Sequence, residues 1–281
     1  MRSLQEPSTS RVILWPLAVV LVLLCVLYAS VVPPMVAQWN DDPNYSHGFI
    51  VPLISGWFLW QSRDALRSVS IRPSAWGFVV VLLALCQLAV GSAAVELFTM
   101  RSSLVMLLAG TVLYLFGWAV LRQVSLPVGY LFFMVPLPYI LYDTLAFPLK
   151  LLVAKYSVLG LKLMGVIVWR EGNIIQFPQV VLEVADACSG LRSLLSLIAL
   201  AVALAFLSHR VAWQRLLVIA AALPIAIVSN MFRVIVTGLL AQHYGAAAAE
   251  GFFHEFAGLA VFLMAFILLG LVSALLRRVG A

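Results

Sequence analysis

Three side chains able to make and break acyl bonds lie in the C-terminal third of the chain: the thiol of Cys188, the guanidinium of Arg233 and the imidazole of His254. Cys188 sits in Asp186-Ala-Cys-Ser-Gly-Leu-Arg192, at the start of an apolar run. A helix N-terminus carries partial positive charge and favours a thiolate. Asp186 opposes that effect, and Arg192 assists it if it folds back; the alternative is a buried structural cysteine. Arg233, in Asn230-Met-Phe-Arg-Val234, keeps its charge at any ordinary pH and offers five donors. It suits a substrate carboxylate or an oxyanion, or a snorkelling contact with lipid headgroups. His254, in Phe252-Phe-His-Glu-Phe-Ala-Gly258, can take and return a proton near neutral pH, or serve only as an interfacial residue. Nucleophile, proton carrier and oxyanion donor are the parts of a covalent acyl-transfer site. His47, in Tyr45-Ser-His-Gly48, either lines the same mouth or is a loop residue without chemistry. His209 and His243 fall in connectors with no evident partner in the sequence.

The elements that must position these groups are membrane helices. Hydrophobic residues make up 64% of the 281 and charged ones 10%, with a mean hydropathy of +1.10. Soluble domains carry about 25% charge, so the bilayer is the solvent here. Apolar runs of about 20 residues match the hydrocarbon thickness. They predict helices near 12–37, 48–62, 74–92, 97–120, 124–141, 188–207, 215–239 and 254–276. Trp57 and Trp60 suit an interface at the end of the short second helix. The first run is longer than a cleavable signal core of about 7–15 residues and reads as a retained helix. The fold expected is an all-α polytopic membrane protein of about eight transmembrane helices, one integral domain over residues 1–281 with an insertion at about 142–187.

Orientation follows from the connectors. Arg2, Arg11, Arg63, Arg67, Arg72, Arg122, Arg210, Arg215, Arg277 and Arg278 fall in one alternating set, and Asp41, Asp42, Glu96, Glu250 and Glu255 in the other. Basic loops stay cytoplasmic, which puts both termini inside. Arg233 lies 18 residues after Arg215, about 27 Å along a helix, and so reaches the outer leaflet with Cys188 and His254. The net charge of +6 sets this topology and does not mark a nucleic-acid partner; the basic residues are dispersed between apolar runs. Cys25 and Cys86 lie inside such runs and read as packed small hydrophobes. Without a Cys-x-x-Cys pair or a Cys/His ligand spacing, neither a metal nor another cofactor is expected.

The connector 142–187 is the exception to the alternation. Leu141 to Val168 is apolar but carries Lys150, Lys155 and Lys162, which suits an amphipathic helix at the outer interface; the rival is one more span. Asn173–Phe177 and Val180–Val184, around Pro178-Gln179, predict a short β-hairpin before Cys188. Such a ribbon either docks an extended peptide by strand addition or caps the bundle mouth.

Together, Tyr45-Ser-His-Gly48, the Asp186–Arg192 segment, Asn230–Val234 and His254 resemble the motifs of the exosortase/archaeosortase membrane proteins, in the same order and across nearly the whole chain. The resemblance implies Cys188 as nucleophile, Arg233 as its partner and His254 as third catalytic member. It implies membrane-anchored protein substrates with a C-terminal sorting tail of the PEP-CTERM type: a short Pro-Glu-Pro motif, a spanning helix and a basic end. It implies cleavage at the periplasmic face of a bacterial inner membrane, with water or a second acceptor taking the acyl group, in cells that make exopolysaccharide. A transporter would instead want charges at the midplane and broken helices, for which Pro136, Pro138 and Pro224 are candidates. A non-catalytic scaffold of an export system would tolerate substitution of all three residues.

One measurement tests topology and reactivity together. A membrane-impermeant maleimide added to intact cells with a permeabilised outer membrane is expected to label Cys188 and to spare Cys25 and Cys86.

Overall fold

The computed structural model describes residues 9–178, 180–184, 190–245 and 252–279, with only the helical backbone for 9–17, 190–193 and 252–257. Among these residues five helices are long and apolar enough to cross a membrane, or six if one bent pair counts as a span. The chain is helical and polytopic, and it divides into two compact units.

The first unit comprises residues 1–42 and 55–136. Its opening helix, expected over 12–37, is two: α1 (Thr9–Leu27) and α2 (Val32–Asp41), bent by 63°. Pro33 and Pro34 cause the break, because proline is accommodated in a first turn but not in a helix interior. After α3 (Ile50–Gln61), too short to cross alone, and α4 (Arg63–Ser68) comes the hairpin of α5 (Trp76–Ala93) and α6 (Leu97–Phe116). Glycines let these two backbones touch. A Cβ on Gly77 would lie 2.1 Å from the Tyr114 backbone nitrogen, and one on Gly110 would lie 2.8 Å from that of Val81. Without a hydrophobic drive between helices in lipid, such close contact is the main source of attraction. Glu96 caps α6 by accepting the Phe98 and Thr99 N–H groups at 3.0 and 2.6 Å. Chiefly the Thr99 bond holds its carboxyl below the ordinary value, so the cap persists at neutral pH and is lost on acidification through that lowered pKa. Arg101, one turn further in, is 3% exposed, and its guanidinium donates to the Gln38 side-chain oxygen.

After α7 (Trp118–Gln123), the segment expected as one helix over 124–141 is fragmentary: α8 (Ser125–Tyr130), a 3₁₀ turn at Leu131–Met134 and the first residues of a later helix. Pro136 and Pro138 then remove two donors, and the helix restarts only at Tyr139.

The second unit comprises residues 43–54 and 137–281. Its first helix, α9 (Tyr139–Leu163), passes the length and apolarity required of a membrane span, with Lys155 and Lys162 on its exposed side. Three short strands follow: β1 (Trp169–Glu171), β2 (Ile174–Gln176) and β3 (Val181–Glu183). They pair antiparallel in the order β1-β2-β3, with Arg170 opposite Ile175 and Ile175 opposite Leu182. The sheet buries Ile175, Phe177 and Leu182 against Val153, Val158 and Leu161 of α9.

Three long helices complete the unit: α10 (Gly190–Ser208), α11 (Ala212–Tyr244) and α12 (Phe252–Val279). Pro224 lies within α11 without interrupting it. Leu197, Ala201 and Ala205 of α10 meet Val218, Ala222 and Ala226 of α11, and Ala265 and Leu269 of α12. The alanines bring the backbones close.

One end of this core is closed by a polar layer. His209 is 3% exposed; its Nδ1 pairs with the Gln214 side-chain oxygen at 3.2 Å and its Nε2 with the Ser273 hydroxyl at 2.9 Å. Gln214 donates to the Leu276 carbonyl at 3.1 Å, and Arg215 Nε donates to the His209 carbonyl at 2.8 Å. His209 therefore does have partners, contrary to the sequence reading, because they sit on α11 and α12.

Replacing Gly77 by alanine is expected to force α5 and α6 apart and to destabilise the protein by about 1–3 kcal/mol, the usual range for overpacking. Thermal unfolding in detergent should show the loss, and Gly56→Ala, with nothing near its Cβ position, should show none.

Candidate functional site

The stripe of α11 that faces its neighbour helices runs from Val218 through Ala222, Ala226 and Ser229 and reaches Arg233 one turn later. Arg233 is partly buried. Its guanidinium crosses to α12 at Gly258, where a Cβ would lie 3.6 Å from one terminal nitrogen and 3.8 Å from the other. Glycine leaves the arginine room to lie flat on the facing helix. Arg233 stands 19 residues beyond Gln214, about 28 Å along α11. An apolar core close to the roughly 30 Å hydrocarbon thickness thus separates it from the His209 layer. A guanidinium at such a depth needs anionic or carbonyl partners.

A second polar pair belongs to the same end. Ser46–Phe49 forms a 3₁₀ turn that places His47 Nδ1 3.1 Å from the Ser196 hydroxyl of α10. Aromatic struts hold the turn: Tyr45 is buried and donates to the Leu137 carbonyl at 3.1 Å, and Tyr142 donates to the Asn44 side-chain oxygen at 3.3 Å. Ser196 lies six residues into α10, about 9 Å from its start.

Residues 39–271, more than four-fifths of the chain, match the model of the family described as transmembrane exosortase. The chain belongs to the transmembrane exosortase family. Exosortases are membrane sorting proteases or transpeptidases, generally of the cysteine type. No curated protein and no solved structure matches the chain significantly.

Of the exosortase residues singled out in the sequence, Arg233 is described in full. His254 lies in the first turn of α12, one helical turn before Gly258, and its side chain is outside the described residues. Cys188 and Asp186 are also outside them, and Arg192 is described in backbone only. Two participants escaped sequence reasoning. Ser196 is one of three serines in an apolar helix, and its contact with His47 distinguishes it. Gly258 is a small residue in a spanning run, and its signal would have been its spacing of four from His254.

The fit of Arg233 against Gly258 generates a paired expectation. Gly258→Ala places its methyl at ordinary contact distance and should preserve substrate processing in membranes. Gly258→Leu displaces the guanidinium and should lower processing at least tenfold without changing the melting temperature of the purified protein.

Proposed function

We propose that this exosortase is a membrane-embedded cysteine protease or transpeptidase that cleaves C-terminal sorting tails of exported proteins at the periplasmic face of a bacterial inner membrane. The observation that carries the reading is the Arg233 guanidinium, held against α12 at Gly258, one helical turn beyond the position of His254, in a chain of this family. Both chain termini lie in the cytoplasm in this reading. The substrate is a membrane-anchored protein with a tail of the PEP-CTERM type, linked to exopolysaccharide-producing cells. Its own spanning helix and basic end set its cleavage point at the same membrane surface.

In the proposed reaction Cys188, as thiolate, attacks the scissile carbonyl; a C–S bond forms and the carbonyl oxygen becomes an oxyanion. Arg233 stabilises that charge. Protonated His254 gives its proton to the departing amine as the C–N bond breaks, leaving a thioester. Water or an acceptor amine then attacks the thioester, passes a proton to neutral His254, and releases the thiolate with the cleaved or transferred product.

The test follows the molecular mass of a co-expressed tailed substrate. Cys188→Ala is expected to abolish processing, and Arg233→Ala to reduce it by about 10²–10³, the loss usual for an oxyanion donor. Undiminished processing by Cys188→Ala overturns the reading and leaves a non-catalytic component of an export system. Full activity in Cys188→Ser would exclude a thiolate in particular.

A further inference from the structure

The small sheet has one edge whose backbone groups bond to no other described residue, and the register identifies them. Phe177 N–H donates to the Val180 carbonyl at 2.8 Å and Val184 N–H donates to the Asn173 carbonyl at 3.0 Å. With Ile175 opposite Leu182, the residues of the third strand that bond inward to β2 are therefore Val180, Leu182 and Val184. Val181 and Glu183 alternate with them, so the N–H and C=O of both face the open side of β3. Among the described residues none of these four groups has a partner. Both residues are exposed, Val181 at 64%. The opposite edge offers less. Trp169 and Glu171 pair with Gln176 and Ile174, which leaves only Arg170 pointing out of β1, and its guanidinium is folded onto the Gly172 carbonyl at 2.7 Å.

Two donors and two acceptors, repeated every second residue, match the backbone of an extended peptide. An edge of this kind is normally blunted by charge, proline or a covering element. Here the one charged side chain on the open strand, Glu183, is drawn aside by Asn173 at 3.1 Å across the sheet. The strand is also anchored. Leu182 is buried against the cluster that includes Val234, the neighbour of Arg233, and Phe177 packs on Gly238 of the same helix. In the sequence Cys188 follows Glu183 by five residues, a reach of at most ~18 Å for extended chain.

We infer that β3 is the substrate-docking edge: the segment on the N-terminal side of the scissile bond adds to it as a fourth strand, bonding to the backbone of Val181 and Glu183. This rests on the proteolytic reading above. The C-terminal side of the substrate cannot be the occupant, because a membrane helix has already used its backbone groups internally. The side chains of the added strand alternate, those in line with Leu182 turning toward the helices and the others toward water. Recognition then depends on an extended stretch before the cleavage point, without proline at the alternate positions that bond to β3, more than on a particular sequence in it.

The test is a proline scan of a tailed reporter over the third to eighth residues before its cleavage point, which mass spectrometry locates, with the full-length exosortase in its native membrane. Alternation is expected: processing falls at least tenfold at every second position and changes little at those between. On the enzyme side, Val181→Pro and Glu183→Pro remove outward N–H groups while sparing the β2–β3 ladder. Each should raise KM about 3–10-fold, the worth of one backbone hydrogen bond, at unchanged kcat. A scan without alternation overturns the docking edge even where a proline variant of the enzyme fails to accumulate, since it leaves the enzyme unaltered. Processing that persists in Cys188→Ala sinks the cysteine reading instead, so the two failures are told apart.

Discussion

Hydrocarbon offers no partner to a polar group, so a hydroxyl, amide or charge inside this protein is costly unless another part of the chain matches it. That constraint organises the helices α10, α11 and α12. Their interior is a column of alanine, leucine and valine, with polar side chains gathered at its two ends. At one end His209 has both ring nitrogens engaged, by Gln214 of α11 and by Ser273 of α12, which ties three helices at one level. At the other lie Arg233, resting on Gly258, and the His47–Ser196 pair. The first layer is fully bonded within the protein and reads as a structural clamp. The second carries Arg233, the oxyanion donor of the proposed reaction.

The same constraint explains Arg101 in the other unit. It is nearly inaccessible on a spanning helix, and Gln38 receives its guanidinium. Glu96, five residues earlier, adds an anionic charge at the start of that helix. The bend at Pro33 and Pro34 turns α2 so that its Gln38 returns a polar side chain to this buried cation.

Hydropathy makes the long helices legible. The expected ranges 74–92 and 254–276 differ from α5 and α12 by no more than three residues at any end. The run after Arg215 likewise forms α11, which continues five residues further because Val234 and Ala241 have the sheet to pack against. Composition cannot show where proline divides a run, and so 12–37 and 124–141 each appeared as one helix. Nor does it mark polar residues whose partners are distant in sequence: Arg101 and Gln38 are 63 positions apart, His209 and Ser273 are 64. At the candidate site the position of Arg233 is legible, since an unbroken helix counts distance from Arg215. The glycine that accepts it is not, because only tertiary contact separates Gly258 from the other small residues of a membrane helix.

Helix α11 has 33 residues, about 50 Å of rise, against a hydrocarbon layer of roughly 30 Å. Some 20 Å of stiff rod is left over, and the last part of it carries the sheet. A helix of this length holds the sheet, a peptide-sized shelf, at a fixed distance along the rod beyond Arg233. With β3 as the proposed docking edge, the shelf would act as a ruler: an anchored substrate would reach it only if enough residues separated its own membrane helix from the stretch to be gripped, whatever those residues are.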